Sequence, residues 1–379
     1  MQKGDSEMKK VGKAVHLIPS VEGNLRNGEG AFLRLKDGRI LYAYTKYYGD
    51  GWDDDHQAYI AACYSSDEGE TFTESEVFYE KPKDAINIMS VSLLRMGNGD
   101  LGLIYLQKTE TLDRRLCIPY LVRSSDEGKS FSAPLCLIEE PSYYVFINDR
   151  VLRMKNGRII FTVADHRAGN DPLMRPGVVK IYYSDDDGRS FRKAENDVHS
   201  PYNDSLGLAE PGIFELADGR LWLYARTGYG CQYQSFSEDG GLTWTEALPN
   251  HNLTSSSSPM IVRTAGEYTF AVLNPIPWGG TFAIAREWLP HKDRTPFVLI
   301  ADKTGGAELV RQDFSRRLGD FMPYIRHCYY LEDDRSETYC YPSLIEVEGG
   351  ILVAYYYSDG TGKELASGRI TKVLYSELE

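Results

Sequence analysis

The sequence of 379 residues is poor in positive charge and in long apolar runs. Its formal net charge at pH 7 is −13. Binding to a nucleic-acid backbone relies on clustered Lys and Arg, so this charge argues against a nucleic-acid partner. No stretch approaches the ~18 consecutive apolar residues of a membrane span, and we expect no membrane partner. The start, MQKGDSEMKKVGKAVHL, lacks the apolar core of a secretion signal. We therefore expect a cytoplasmic protein, or a secreted one whose signal has been trimmed.

The sequence also lacks the cysteine and histidine patterns of metal and disulfide sites. Its six cysteines form no CxxC pair and mostly lie in apolar, strand-like runs, which predicts reduced core residues. They are Cys63, Cys117, Cys136, Cys231, Cys328 and Cys340. The seven histidines have no metal-ligand spacing, and no phosphate-binding loop is present. We expect neither a metal nor a cofactor.

Helical periodicity is nearly absent, and two repeats take its place. The first is a Ser-x-Asp-x-Gly-x-Thr/Ser-Phe/Trp box in CYSSDEGETF, RSSDEGKSF, YSDDDGRSF and FSEDGGLTW. These boxes start 59, 60 and 53 residues apart. The second repeat places a turn glycine before an apolar or β-branched run, as in KDGRILYAY and KNGRIIFTVA. With weaker copies at AGEYTFAVLN and EGGILVAYYY, it predicts six hairpins.

Repeated units of antiparallel strands are typical of a β-propeller. We predict an all-β, six-bladed β-propeller of four-stranded antiparallel blades, forming one domain over residues 1–379 with its core at roughly 20–375. In a propeller, we expect the box to have a structural role, which is to form a turn. Its Ser and Asp bond the main chain of their own turn, its glycine supplies a left-handed residue, and its aromatic ring anchors the loop. A calcium loop is the alternative, but one acid per box supplies too few oxygen ligands.

Four such boxes on a six-bladed chain resemble the sialidase (neuraminidase) superfamily, in which the motif is the Asp-box. The resemblance covers nearly the whole chain. It implies a substrate with a carboxylate on its anomeric carbon, which arginines bind through paired charge-assisted hydrogen bonds. That carboxylate would repel an acidic nucleophile, whereas a neutral Tyr deprotonated by a neighbouring Glu avoids the repulsion. A separate Asp acts as general acid and then base.

The resemblance implies roles for individual residues. GLAEPGIFEL and LYARTG match the family's Glu strand and a following arginine, which gives Glu210 and Arg226. RTPFVLIAD gives a second arginine, Arg294, and YCYPSL gives the nucleophile Tyr341. The acid/base Asp comes from GWDDDHQ, which offers Asp53, Asp54 and Asp55, and we favour Asp55 in the Asp-His pair.

The first carboxylate-binding arginine departs from the family pattern. The family carries an Arg-Ile-Pro-like strand in its first blade, whereas this chain has NLRNGEGAF, so Arg26 is the match. This departure leaves substrates other than sialic acid open.

Further candidates come from counting nine residues back from each turn glycine, which samples equivalent positions on the inner strands. All six positions are polar: Glu29, Ser90, Asn148, Glu210, Ser257 and Tyr341. From this set and its neighbours we expect Glu29, Asn148 and Arg150 to contact substrate. Trp278 in NPIPWGG would either stack on a sugar or cover a blade edge.

These observations predict an exo-glycosidase that removes a terminal acidic sugar from a glycan, with retention, through a tyrosyl–sugar intermediate. Two alternatives stay open: a propeller hydrolase or lyase acting on another uronate-type or neutral oligosaccharide, and a non-catalytic glycan-binding propeller. The sequence does not define the linkage, the oligomeric state, or the choice between hydrolysis and transfer.

Overall fold

The chain forms repeated antiparallel sheets around a central cavity, which confirms the predicted all-β propeller. The computed structural model describes residues 8–111, 114–167, 175–202, 206–254, 258–275, 294–312, 327–360 and 365–378. Helix is limited to α1 (Ala307–Val310) and a 3-10 turn (Tyr375–Glu377) in this part of the chain. None of the helices formed by the described residues has the length and hydrophobicity that a bilayer crossing requires.

The described strands form five hydrogen-bonded sheets. The eight-stranded sheet contains β2 (Arg26–Arg34), β3 (Ile40–Tyr47), β4 (Ala58–Ser65), β5 (Glu76–Tyr79), β6 (Asn87–Arg95), β7 (Leu101–Glu110), β8 (Arg115–Ser124) and β9 (Leu135–Cys136). The five-stranded sheet contains β10 (Tyr144–Val145), β11 (Leu152–Arg153), β12 (Ile159–Asp165), β13 (Val178–Ser184) and β14 (Arg192–Lys193).

The other three sheets have four strands each. One contains β15 (Ala209–Glu215), β16 (Leu221–Arg226), β17 (Cys231–Ser237) and β18 (Leu248–Thr254). The next contains β19 (Ile261–Ala265), β20 (Tyr268–Leu273), β21 (Phe297–Asp302) and β22 (Cys328–Glu332). The closing sheet contains β23 (Tyr339–Val347), β24 (Gly350–Tyr357), β25 (Ser367–Leu374) and, on its outer edge, β1 (Lys13–Ile18).

The predicted count of six separate four-stranded blades does not match these sheets. Four sheets have four or five strands, and the remaining one has eight. The reason lies between β4 and β6, where the single parallel pair Ala58–Asn87 joins two four-strand units into one hydrogen-bonded sheet.

Each turn segment predicted from the glycine repeat joins two antiparallel strands. The hairpins are β2–β3, β6–β7, β11–β12, β15–β16, β19–β20 and β23–β24. Gly38 and Gly99 illustrate the requirement, because their φ values of 91° and 89° lie in the left-handed region that side-chain-bearing residues rarely adopt. The glycine repeat therefore predicts the strand pairs correctly.

The boxes fold as tight turns held by their own side chains. In the first box, Asp67 accepts hydrogen bonds from Ser65 Oγ at 2.8 Å and from Thr71 N at 2.9 Å. The main-chain N–H of Gly69 donates to Ser65 Oγ at 2.8 Å. The same contacts recur in the boxes that begin at Ser124, Ser184 and Ser237. The acids of these boxes thus shape turns.

A second acid in three of the boxes links neighbouring units, a role that the sequence did not reveal. Glu127 accepts hydrogen bonds from Arg95 at 2.6 and 2.9 Å within its own unit. It also accepts one at 3.0 Å from the main-chain N–H of Lys36, in the preceding hairpin. Glu68 and Asp187 make the corresponding contacts in their boxes. We call this contact the box latch.

Buried apolar side chains form six clusters, each between two consecutive strand units. One of these clusters lies inside the eight-stranded sheet and packs β2–β5 against β6–β9. Three predicted core cysteines, Cys63, Cys117 and Cys231, are buried free thiols, and burial raises the pKa of each to about 12.

Candidate active site

Bulges in the inner strands aim side chains at the centre of the propeller. Glu29, Ser90, Glu210 and Tyr341 have φ values of 52°, 59°, 48° and 56°. Each lies where the pairing of its strand with the next shifts register. A bulge of this kind redirects a side chain away from the face that strand alternation would give it. All four residues line the same cavity.

Counting nine residues back from the turn glycine therefore found bulge positions. In the β11–β12 unit the left-handed residue is Asp149, with a φ of 54°, so the count that gave Asn148 went one residue too far back there. Ser257 lies outside the described residues. The bulge itself could not be predicted from the sequence, because its backbone conformation depends on register against the next strand.

The cavity has a volume of about 230 Å³ and one charged side. Its polar lining consists of Arg26, Glu29, Asp54, Ser90, His166, Glu210, Arg226 and Tyr341. The other lining residues are mainly apolar and include Met89, Leu106, Tyr143, Phe146 and Ile147. Among the described residues, no group of three or more His, Cys, Asp or Glu side chains is placed to hold a metal ion.

Tyr341, Glu210 and Arg226 form a connected group at the centre of the site. The Tyr341 hydroxyl donates to Glu210 Oε1 at 2.5 Å, and Arg226 Nη1 donates to Glu210 Oε2 at 2.7 Å. Burial and the Glu210 carboxylate raise the pKa of Tyr341 well above its usual value. At neutral pH Tyr341 is thus a neutral phenol whose proton already points at an acceptor.

Arg294 lies on the other side of the Tyr341 ring. Its guanidinium carbon is 5.7 Å from the ring centroid, and its Nη1 contacts Cys340 Sγ at 3.2 Å. Its positive charge also opposes the rise in the pKa of Tyr341. Trp278, predicted to stack on a sugar or cover a blade edge, lies outside the described residues.

Arg26 is buried and largely occupied by partners within the protein. Its Nε donates to the Tyr356 hydroxyl at 2.9 Å, and its Nη2 donates to Glu29 at 2.6 Å. Its Nη1 donates to Asp54 at 2.6 Å and to the Trp52 carbonyl at 3.3 Å. A ligand carboxylate could make a paired contact with Arg26 only by displacing Asp54.

Asp54 is the aspartate of GWDDDHQ that faces the cavity. Its side chain is 45% exposed although it is paired with Arg26. Burial disfavours the charged carboxylate, but the charges of Arg26 and Lys108 outweigh this effect and hold the pKa of Asp54 below its usual value. The resting site therefore contains an ionised Asp54.

This placement corrects our preference for Asp55. The Asp55 carboxylate is bound by Lys108 at 3.1 Å and by Arg115 at 2.8 Å, and it does not line the cavity. Asp53 accepts a hydrogen bond from the main-chain N–H of Asp55 at 2.9 Å. The geometry assigns Asp54 to the site, and makes Asp55 and Asp53 part of the loop that carries it.

Asn148 and Arg150, predicted to contact substrate, instead bond main-chain carbonyls. Asn148 Nδ2 donates to Gly30 O at 2.9 Å and to Tyr341 O at 3.4 Å. Arg150 donates to the Asn148 carbonyl at 2.8 Å and to Met260 O at 2.7 Å. Neither residue lines the cavity. We therefore assign both to contacts that hold separate sheets together.

His166 lines the cavity and was missed by the sequence analysis. Its Nδ1 lies 2.7 Å from the Arg175 carbonyl, which only accepts, so Nδ1 carries the hydrogen and Nε2 the lone pair. Burial lowers the pKa of His166, which is neutral at neutral pH. The signal was available: nine residues after the turn glycine, this hairpin has His166, and two others have Tyr47 and Lys108.

Comparison with known proteins agrees with this architecture. The anhydrosialidase of Macrobdella decora is 38% identical over 75 residues, which make up 20% of this chain and 9% of that protein. The leech intramolecular trans-sialidase, solved with 2,7-anhydro-Neu5Ac, superposes with a TM-score of 0.67 at 17% identity, covering 98% of this chain and 71% of that one. The intramolecular trans-sialidase of Ruminococcus gnavus, solved with oseltamivir carboxylate, gives 0.66 at 15% identity, covering 100% and 97%.

These solved structures share the propeller fold of this chain. The BNR repeat-like domain family matches residues 90–353, well over half of the sequence. The chain therefore belongs to the BNR repeat-like domain family.

Proposed function

We propose that this protein is a sialidase-type exo-glycosidase that removes a terminal sialic acid, or a closely similar acidic sugar, from a glycan. One observation carries the proposal: the hydrogen bond of 2.5 Å from the Tyr341 hydroxyl to Glu210, a carboxylate also bound by Arg226. Tyrosine is the nucleophile in sialidases, where the substrate carboxylate disfavours an acidic one.

In the proposed first step, Tyr341 attacks the anomeric carbon and its proton passes to Glu210. The bond to the leaving group breaks as Asp54 protonates the glycosidic oxygen. In the second step Asp54 takes a proton from water, which attacks the same carbon. The bond to Tyr341 breaks, and Glu210 returns the proton. Two inversions at one carbon give retention.

Arg226 supports the carboxylate-binding part of the proposal. Within the described part of the chain its one hydrogen-bond partner is Glu210, and its buried Nε has none. N–H groups of Arg226 therefore remain for an anionic ligand, whereas Arg26 must first release Asp54. We propose that Arg26 and Arg294 complete the binding of the substrate carboxylate.

We also propose that the propeller has six blades, with the eight-stranded sheet acting as two. The halves β2–β5 and β6–β9 share one parallel residue pair, and an apolar cluster separates them as clusters separate the other units. Six blades would surround one cavity of about 230 Å³.

The direct test is turnover of a fluorogenic sialoside by the wild type and two variants. Tyr341→Phe removes the nucleophile and Glu210→Gln removes the proton acceptor, so each should lower kcat by about 10²–10⁴-fold or more. Tyr339→Phe is the matched control, because Tyr339 lies two residues earlier on the same strand and packs in an apolar cluster. It should keep wild-type activity.

Three other results would contradict the proposal. Binding of sialic acid without turnover by the wild type would favour a glycan-binding propeller. Full activity in Tyr341→Phe would exclude it as the nucleophile. The mass of the released sugar identifies the reaction, since free sialic acid exceeds its 2,7-anhydro form by one water. An anhydro product would replace hydrolysis by the intramolecular reaction for which two structurally similar proteins are named.

His166 favours one second candidate, a lyase acting on a uronate. In such a reaction Nε2 would take the proton next to the carboxylate as the carbon–oxygen bond on the adjacent carbon breaks. Tyr341 would protonate the leaving oxygen, and a carbon–carbon double bond would remain. Ultraviolet absorbance of an unsaturated uronate, released from a panel of uronate-containing oligosaccharides, would identify this activity.

A further inference from the structure

We propose that Lys108 and Asn87 are positioning residues for Asp54, holding the main chain of its loop while leaving its carboxylate free to move. This inference rests on the proposed function, because it takes Asp54 as the general acid. We call residues 50–57 the acid loop. Lys108 and Asn87 lie on β7 and β6 respectively, in the other half of the eight-stranded sheet.

Lys108 binds the acid loop and also the Tyr143 side chain. Its Nζ donates to the Asp54 carbonyl at 2.8 Å and to Asp55 Oδ1 at 3.1 Å. The side chain is 2% exposed, and Nζ lies 5.4 Å from the centroid of the Tyr143 ring. A buried ammonium is costly unless it is paired, so these partners account for its presence.

Asn87 binds the same stretch of main chain. Its Nδ2 donates to the Asp54 carbonyl at 2.7 Å and to the His56 carbonyl at 2.9 Å. The Asp54 carbonyl therefore accepts hydrogen bonds from two side chains of the neighbouring half-sheet. Arg115 adds a contact of 2.8 Å to Asp55, whose carboxylate thus anchors the loop from outside the cavity.

These contacts hold the backbone of Asp54 more firmly than its carboxylate. The backbone is held by Lys108 and Asn87, whereas the carboxylate has one side-chain partner among the described residues, Arg26 at 2.6 Å. Rotation about the side-chain bonds alone can then carry the carboxylate from Arg26 to a leaving-group oxygen. Precise placement of a general acid matters, because an error of about 1 Å can cost roughly 10²-fold in rate.

The test compares two leaving groups in the Lys108→Met variant. A general acid matters most for sialyllactose, whose alcohol leaving group needs a proton, and least for methylumbelliferyl sialoside, whose phenolate leaves unaided. We expect Lys108→Met to lower kcat for sialyllactose by roughly 10–100-fold and for the aryl substrate by less than about 5-fold, as a displaced acid should. Asp54→Asn should show the same selective loss, only larger.

The chain offers a closely matched control in Lys372. Its side chain is 9% exposed, and its Nζ donates to the Glu68 carbonyl at 3.0 Å and to Glu70 at 2.6 Å. It thus holds a box turn as Lys108 holds the acid loop, but it does not line the cavity. Lys372→Met should cost stability while leaving the ratio of the two kcat values unchanged.

A second readout does not need turnover. Hydrogen exchange of the peptide covering residues 50–57 should rise in Lys108→Met and stay at the wild-type level in Lys372→Met. Equal loss on both substrates, or unchanged exchange in Lys108→Met, would overturn the inference while Asp54→Asn still supports the proposed function. Absence of a selective loss in Asp54→Asn would overturn the acid role of Asp54, and the inference with it.

Discussion

Asp54 occupies in the resting site the place on Arg26 that an incoming carboxylate would need. Four hydrogen bonds already hold the Arg26 guanidinium, and two of them go to carboxylates that line the cavity, Glu29 and Asp54. The ion pair with Arg26 helps to keep Asp54 ionised. In the proposed mechanism Asp54 is the general acid, and a general acid must start protonated. Substrate binding can resolve this conflict by displacing Asp54 and adding a negative charge beside it.

We therefore predict that binding of an anionic sugar is coupled to proton uptake. The resting pKa of Asp54 is lowered by Arg26 and Lys108, and a bound carboxylate should raise it. Other groups that interact with Asp54 are Arg294, Glu29, Tyr47, Tyr143, Tyr356 and Cys117. Calorimetric titration of sialic acid at about pH 5, in buffers of different ionisation enthalpy, should show uptake of up to about one proton.

Asp54→Asn is the control for this titration. It should bind the sugar without proton uptake, since the amide does not titrate. Binding by the wild type with no dependence on the buffer would contradict the coupling. Equal uptake in Asp54→Asn would assign the proton to another group, such as Glu29, whose pKa is raised by burial.

Several residues of the candidate site could be predicted from the sequence. The exceptions depend on contacts with residues that are distant in sequence. Tyr341, Glu210 and Arg226 were predicted together and lie in contact. The choice among three consecutive aspartates failed, because it depends on Asn87 and Lys108, which are distant in sequence. Asn148 and Arg150 look like ligand-binding residues, but partners in other sheets occupy them.

At the scale of elements, the box latch joins a turn to the preceding hairpin. Glu127 and Arg95 are partly buried, with exposed side-chain fractions of 18% and 28%. The hydrogen bonds from Arg95 lower the pKa of Glu127. Its stabilising contribution should therefore be present above the ordinary glutamate pKa of ~4.3 and be lost as the pH falls below it.

We predict that Glu127→Gln lowers the free energy of unfolding at pH 7 by about 1 kcal/mol, after allowing for solvent screening. The urea midpoints of wild type and variant should converge on acidification. Glu238→Gln is the matched control, because Glu238 is an exposed box residue. It should change stability by less than about 0.5 kcal/mol. An unchanged midpoint in Glu127→Gln would mean that the latch is energetically neutral.

The strand pairs of the hairpins were the features that the sequence predicted best. Turn glycines such as Gly38 predict hairpins because a left-handed residue is a local requirement. The role of the second acid in three of the boxes could not be predicted from the sequence, because its partner, such as Lys36 for Glu127, belongs to another repeat. Whether β4 and β6 form one sheet or two is likewise decided by the single pair Ala58–Asn87.

At the scale of the whole molecule, the N-terminal strand completes the last sheet. β1 pairs with β25 from Lys13–Lys372 to Ile18–Gly368, so the two ends of the chain share one sheet. Val11 is buried in an apolar cluster and bonds the Tyr330 carbonyl at 2.9 Å, which ties the same segment to the neighbouring sheet.

Deletion of residues 1–18 should therefore lower the Tm by more than about 5 °C, because it exposes the edge of β25 and removes buried apolar surface. Differential scanning calorimetry measures the shift, and light scattering follows aggregation at the exposed edge. Leu17→Ser is the control, since Leu17 is 49% exposed. A Tm within about 2 °C of the wild type would show that closure does not depend on β1.

The left-handed bulges place a set of substitutable side chains at the centre of the propeller. Strand pairing resumes on both sides of each bulge, and β-branched residues fit the left-handed conformation of the bulge residue poorly. In this chain the bulge residues that line the cavity are Glu29, Ser90, Glu210 and Tyr341. Substitution of these bulge residues changes the side chains in the channel. Different activities can therefore arise on one propeller without any change of strand topology.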